Sequence, residues 1–256
     1  MEERHLLYRV EEGVGYVTIN REPQRNALTS EALALFHEYL DEAEKDANVR
    51  ALMVTGAGEK AFCTGAQLSG AVTTGGMDIF ASYAGLLDRI VGFPKPTVAR
   101  VKGFCLAGGM GFMLACDIVI ASDDSKFGTP EVNVGLWPMM IGALIFRNVL
   151  QKKAMEMILL GERLSAQEAL AMGLITRVVP AADLDEEVKK VLAILTSKSP
   201  IGMRMGKQAF YAAAKLPLNE ALVFLSEKIK EVAGTDDARE GITAFMEKRQ
   251  PNFTGK

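Results

Sequence analysis

Residues 97–117 read TVARVKGFCLAGGMGFMLACD. Thr97 to Val101 is a β-branched, apolar run of the kind that forms a buried strand. Gly103 permits a turn. Ala107, Gly108 and Gly109 then lead into a second apolar run, Met110 to Cys116, which predicts a buried helix. Such a helix start leaves backbone N–H groups unpaired and carries partial positive charge. Small residues there let a ligand oxygen come close, whether on a phosphate or on an oxyanion formed during a reaction. The same residues serve equally well as a tight strand–helix turn packed in a core.

Upstream, VGYVTIN at 14–20 alternates like a strand. Thr29 or Ser30 can cap a helix that places Leu33, Phe36, Leu40 and Ala43 on one face and ends near Asn48. Val49 to Gly56 is apolar almost throughout and predicts a strand covered on both sides. The Gly-rich stretch from Ala57 to Gly76 has no period, and loops of that length usually carry function. Phe80, Tyr83, Ala84 and Leu87 mark a helix stopped by Pro94 and Pro96.

Downstream, IVIAS at 118–122 predicts a further strand, followed by SKFGTPEVNVGLWPMMIGA. Ser165 and Glu168 form a capping box, and Gly173 can end that helix. Asp183 can start another, and Ser199 with Pro200 suits the start of a third. Leu218, Leu222, Leu225, Ile229 and Val232 make a narrow apolar seam. Packing on its own domain is the favoured reading of that seam, ahead of a subunit contact. The plan is a βα body to about residue 195 and a helical part after it, with no internal sequence repeat.

Composition sets limits. The chain has 256 residues, 49% hydrophobic and 24% charged, with a net charge of −3. That suits a soluble chain with a large core and argues against nucleic-acid binding, since Lys and Arg are scattered. No apolar run is long enough to span a membrane. The N-terminal MEERHLLYRV lacks an apolar signal core, so a cytoplasmic location is expected. Cys63, Cys105 and Cys116 are odd in number and form no CxxC pair. They predict reduced thiols that fill space, with no disulfide frame and no metal site.

Few residues can carry chemistry. His5 and His37 are the only histidines, and both lie outside the Gly-rich segments, so a Ser–His or Cys–His pair is hard to build. No GxGxxG or Walker loop is present. Glu131, in FGTPEVNVG, has two readings. It is either a proton carrier with a pKa raised by apolar surroundings, or an exposed, inert Glu after a Pro at a helix start.

Five stretches resemble the enoyl-CoA hydratase/isomerase family, the crotonase superfamily. They are NREPQRNAL, VRALMVTGAGEKAFCTGAQL, KPTVARVKGFCLAGGMGFMLACDIVIASDDSKFGTPEVNVGL, LLGERLSAQEALAMGLITRVVP and EGITAFMEKRQPNF. They occur in the family's order and cover nearly the whole chain. The resemblance implies an α/β fold, a spiral of ββα units over residues 1–195 that binds an acyl-CoA thioester. A C-terminal helical region, 196–256, would serve trimerisation and contact CoA. The expected assembly is a homotrimer or a dimer of trimers. No separate cofactor is implied, because coenzyme A enters as part of the substrate.

The resemblance also assigns residues. Backbone N–H groups of Ala66 and Gly108 would hold the thioester oxygen and stabilise an enolate more than the ground-state carbonyl. CoA would lie along Arg25, Asn26, Ala27 and Leu28, and along Lys60, Ala61, Phe62, Ala66 and Leu68. Phe245 and Lys248 would reach it from the C-terminal helix, often of a neighbouring subunit. Glu131 matches one of the two carboxylates of the family's hydratases. The other position is Gly111 here, and an apolar wall with Trp137, Met139, Met140 and Ile141 replaces a Gly-rich run.

Hydration wants two groups around a water, whereas a Δ3,Δ2-enoyl-CoA isomerase needs one proton shuttle. A hydratase using Asp78 or Asp88 to hold the water stays open. So do other enolate chemistry, thioester hydrolysis or decarboxylation, and an acyl-CoA-binding chain without activity.

Overall fold

The computed structural model describes residues 4–66 and 79–256. The chain opens with an antiparallel hairpin, β1 (Leu6–Glu11) and β2 (Val14–Ile19), then α1 (Ser30–Lys45). Three strand–strand–helix units follow. They are β3 (Ala51–Gly56), β4 (Ala61–Cys63) and α2 (Ile79–Val91); β5 (Thr97–Val101), β6 (Phe104–Leu106) and α3 (Gly108–Ala115); β7 (Ile118–Ser122), β8 (Lys126–Gly128) and α4 (Met139–Asn148). A 3-10 turn over Pro130–Val134 separates β8 from α4. Then come α5 (Gln151–Leu160), β9 (Leu164–Ser165), α6 (Ala166–Met172), β10 (Arg177–Val179) and α7 (Leu184–Thr196). The last helices are α8 (Pro200–Ala213), α9 (Leu218–Ala233) and α10 (Asp236–Met246).

The first strands of the three units, β3, β5 and β7, pair in parallel within a six-stranded sheet ordered β1-β2-β3-β5-β7-β10. The second strands, β4, β6 and β8, pair in parallel within a separate four-stranded sheet closed by β9. Each unit therefore steps along both sheets at once, which is the expected spiral. The repeat is invisible in the residues because the second strands are only three residues long.

Burial explains the apolar runs. Leu52, Val54, Ala99, Val101, Val119 and Ala121 face the main core, which contains Phe36, Phe62, Phe112 and Phe127. Their alternates Ala51, Met53, Val98 and Ile120 face a second cluster, where Leu184, Val188, Val191 and Leu192 of α7 cover the outer face. A strand covered on both faces has no polar side to show, hence ALMVTG.

Local chemistry sets the helix ends. Thr29 accepts from the Ala32 N–H and caps α1, which ends at Lys45, three residues before the expected Asn48. The Ser165–Glu168 capping box forms, and Gly173 closes α6 in the left-handed region. Ser199 caps α8 from its side chain. Lys207 of α8 reaches back to Asp117 (2.6 Å), whose carboxylate also takes the Thr97 N–H and hydroxyl. This couples the helical C-terminus to the end of β5. Buried Asp237 holds the tail by accepting from the N–H groups of Thr254 and Gly255 and from the Ser199 hydroxyl.

The α9 seam departs from the favoured reading. No residue of α9 is buried, and Leu218, Leu222 and Ile229 are 76%, 61% and 62% exposed. Own-domain packing uses only part of the seam, because α8 and α10 touch α9 along one side.

Candidate active site

The site is built where α3 begins. Ala107 sits at φ 50°, ψ −131°, an unusual backbone for a residue with a Cβ, and is held there by its N–H donating to the Gly128 carbonyl (3.0 Å). Gly109 lies so near β4 that an added Cβ would stand 2.2 Å from the Cys63 carbonyl oxygen. Gly65, at φ +94°, runs alongside, and a Cβ there would stand 3.2 Å from the Gly108 nitrogen. Two chain segments thus meet at Gly65–Ala66 and Ala107–Gly108 without side-chain bulk between them. Among the described residues, neither the Ala66 nor the Gly108 N–H donates to another backbone group. Leu28 donates its N–H to the Gly65 carbonyl (2.8 Å), fixing the strand-like approach of residues 26–28.

Glu131 lies in the 3-10 turn after β8. It is half-buried, and its Oε2 is buried without a hydrogen-bond partner. Burial raises its pKa above the ordinary carboxylate value, partly offset by its own backbone N–H. The neighbouring Thr129 is fully buried, and its hydroxyl oxygen also lacks a partner. Two such atoms two residues apart leave buried polar groups here that the fold itself does not satisfy. Of the two open readings of Glu131, the exposed surface residue is excluded.

Tyr83 of α2 completes the surroundings. Its hydroxyl donates to the Gly108 carbonyl (2.5 Å), and its ring meets Phe112 edge-on at 5.5 Å. Burial pushes the phenol well above its ordinary pKa, with smaller contributions from Cys63, Cys105 and Glu131. The residues alone mark Tyr83 only as helix-forming. The signal it carries is a polar tip on an otherwise apolar buried face.

The residues expected along CoA separate into two sets. Asn26, Leu28, Ala61 and Phe62 are buried, Asn26 donating to the carbonyls of Ala57 and Ala61. Their side chains build the wall, and only Arg25, Ala27, Lys60 and Ala66 open to solvent there. Arg25 and Arg163 flank the Phe104 ring at 5.9 and 5.0 Å, and the Phe104 N–H donates to the Lys60 carbonyl. Two guanidinium groups therefore share the Phe104 ring, with the Lys60 backbone beside it, Arg163 being the member not singled out from the residues.

Gly111 is buried on α3, while Trp137 just before α4 and Met139 at its first position are 41% and 70% exposed. Phe245 and Lys248 lie at the exposed end of α10, which packs on α8 and α9. Leu68 and Asp78 lie outside the described residues; Asp88 is exposed on α2.

Other candidates are occupied. His5 pairs with Thr29 and Glu31, and His37 with the Ser82 carbonyl and Arg89. Burial pushes the Cys63 and Cys116 thiols up to about 12 and the Cys105 thiol well above its ordinary value, so all three are inert fillers. Among the described residues no group of His, Cys, Asp or Glu is placed to hold a metal ion, and no helix is long and apolar enough to cross a membrane.

Comparison with known proteins agrees with this geometry. Residues 9–256 match the family model described as enoyl-CoA hydratase/isomerase. The short-chain-enoyl-CoA hydratase of Clostridium acetobutylicum is 35% identical over 254 residues, covering 98% of this chain and 97% of that protein. A crystal structure of an enoyl-CoA hydratase from Bacillus anthracis aligns with TM-score 0.92 and 31% identity, covering 98% of this chain and all of the other. That of human enoyl coenzyme A hydratase domain-containing protein 3 aligns with TM-score 0.94 and 31% identity over the same shares. With strand order, glycine-shaped helix start and near-complete coverage in agreement, the chain belongs to the enoyl-CoA hydratase/isomerase family.

Proposed function

We propose that the protein acts on an enoyl-CoA thioester through an enolate held by the Ala66 and Gly108 N–H groups, with Glu131 as its acid and base. The observation that carries this is the buried, unpartnered Glu131 carboxylate oxygen, together with an α3 start whose Gly108 N–H donates to no other backbone group among the described residues. Among the reactions of the family, Δ3,Δ2 isomerisation fits best, because a single carboxylate suffices for it.

In that reaction Glu131 takes a proton from C2 of a 3-enoyl thioester. The C2–H pair moves into a dienolate, and its negative charge settles on the thioester oxygen between the two N–H groups. Protonation at C4 by the same carboxyl then leaves the 2-enoyl product. The donors act on charge that develops only as the proton leaves, so they lower the barrier; one such donor is worth about 3 kcal/mol. A raised pKa suits a group that must take and return the same proton near neutral pH.

Hydration of a 2-enoyl thioester is the second reading, favoured by the hydratase names of the relatives. It needs a water held opposite Glu131, and the Thr129 or Tyr83 hydroxyl is the available partner.

The CoA moiety is proposed to lie along residues 25–28 and 60–66, with Arg25, Lys60 and Arg163 facing its phosphates. Phe245 lies exposed beside Val232 and Phe253 on the helical C-terminal part, and it and Lys248 are assigned to a neighbouring subunit's CoA in a homotrimer or dimer of trimers. The exposed apolar residues of α9 and α10 support that assembly.

The test is turnover of crotonyl-CoA and trans-3-hexenoyl-CoA by the wild type and Glu131→Gln. Gln keeps shape but takes no proton, so at least ~100-fold of the rate should be lost with hexanoyl-CoA binding nearly intact. Full turnover by Glu131→Gln on both thioesters defeats the assignment.

A further inference from the structure

Gly111 is the position where a second side chain could join Glu131, and the structure shows what fills its place. An added Cβ on Gly111 would stand 2.0 Å from the Tyr83 hydroxyl oxygen, 3.1 Å from its Cζ and 2.8 Å from Ile141 Cγ2. Tyr83 is buried, fixed by its hydrogen bond to the Gly108 carbonyl and by the Phe112 ring, so its tip is not a loose end that swings aside. One hydroxyl therefore does two things. It ties the first turn of α3, the turn that offers the Gly108 N–H, and it closes the space over Gly111 one turn later.

We propose that Tyr83 is a positioning residue of this site, pinning the donor turn of α3 through the Gly108 carbonyl and excluding any side chain at 111. Among the described residues Glu131 is then left as the one carboxylate there. The inference rests on the reading of Gly108 and Glu131 given above. A neutral phenol serves this purpose because it donates to a carbonyl at every pH at which the protein works, and its raised pKa keeps it neutral. Without that hydroxyl the Gly108 turn would be held by the strained Ala107, by the Met110 N–H donating to the Ala107 carbonyl and by the contact of Gly109 with β4.

The inference is tested with trans-3-hexenoyl-CoA as substrate and hexanoyl-CoA as binding probe. Tyr83→Phe deletes one hydroxyl and keeps the ring. It should lower kcat about fivefold, the rate equivalent of one neutral hydrogen bond, with KM within about twofold. A merely structural tyrosine would lower Tm and leave kcat unchanged at temperatures well below it; that result overturns the proposal. Gly111→Glu should lower Tm and activity sharply, and Gly111→Glu with Tyr83→Ala should recover Tm relative to Gly111→Glu. Gly111→Glu as stable and active as the wild type overturns it too. If Glu131→Gln abolishes turnover while Tyr83→Phe keeps full kcat, the Tyr83 inference fails and the Glu131 reading stands. If Glu131→Gln keeps full turnover, the underlying reading itself has failed.

Discussion

The helices α3 and α9 are both rich in apolar residues, and their environments are opposite. Every residue of α3 from Gly109 to Ala115 is buried, whereas no residue of α9 is. α3 has no polar face, because it is enclosed by α2, α4 and both sheets. Its glycines are there to let backbone approach backbone. α9 has a polar face and an apolar seam, and the seam stays largely uncovered within one chain. α3 is thus enclosed within the chain, while α9 leaves an apolar seam at the surface.

The difference is broken most severely at Gly109. Alanine there would press its Cβ against the Cys63 backbone, which cannot turn aside as a side chain would. We expect Gly109→Ala to cost about 3 kcal/mol or more of stability, by the usual scale of overpacking. The control is Gly85→Ala, at an exposed position of α2 with no atom within 4 Å of the new Cβ, which should gain about 0.8 kcal/mol from helix propensity. Thermal and urea unfolding of the two variants decides it. Similar stabilities for both would mean that α3 does not lie tight against β4.

Next in size is the seam. Leu222→Lys with Ile229→Lys should turn the proposed trimer-based assembly into monomers at micromolar concentration in sedimentation, with helical circular dichroism retained. Charges on residues already exposed in one chain carry no folding penalty there, but they block an apolar contact. A wild type that already sediments as a monomer contradicts the assembly, and with it the role of Phe245 and Lys248 in a neighbouring site.

Legibility in the sequence followed the same division. Long elements with one clear period, such as α1 and β3, were readable because burial had shaped every residue of them. The short strands β4, β6 and β8 were not, since three residues carry no period; β6 sat unread between Gly103 and Ala107. β1 escaped because LLYRVE, a sheet-edge strand, is mostly solvent-facing and shows little apolar contrast. In the site, Glu131 and the small residues of 107–109 stood out because their chemistry is unusual in an apolar run. Tyr83 and Arg163 did not, because each depends on what the fold brings next to it: the Gly108 carbonyl in one case, the Phe104 ring in the other. The α9 seam was visible, and its partner was not, since periodicity reports an apolar face without saying what meets it.

The smallest expected effect concerns the solitude of Glu131. Burial raises its folded-state pKa above the value in the unfolded chain. Between those two values the folded chain binds more protons than the unfolded one, so stability falls as pH rises through that window. Below the window the group is neutral in both states and the penalty is absent; above it the penalty is constant. Glu131→Gln carries no charge at any pH and so escapes the penalty. We expect its Tm to match the wild type at pH 4 and to exceed it at pH 8 by about 1 °C, a few tenths of a kcal/mol for a chain of this size. The gain is small because the carboxylate is only half enclosed. A Tm difference that does not change with pH, or one that turns against Gln at pH 8, would mean that a cation or donor already satisfies Glu131 in the free protein. The isolated carboxylate needed for the proton shuttle would then not exist.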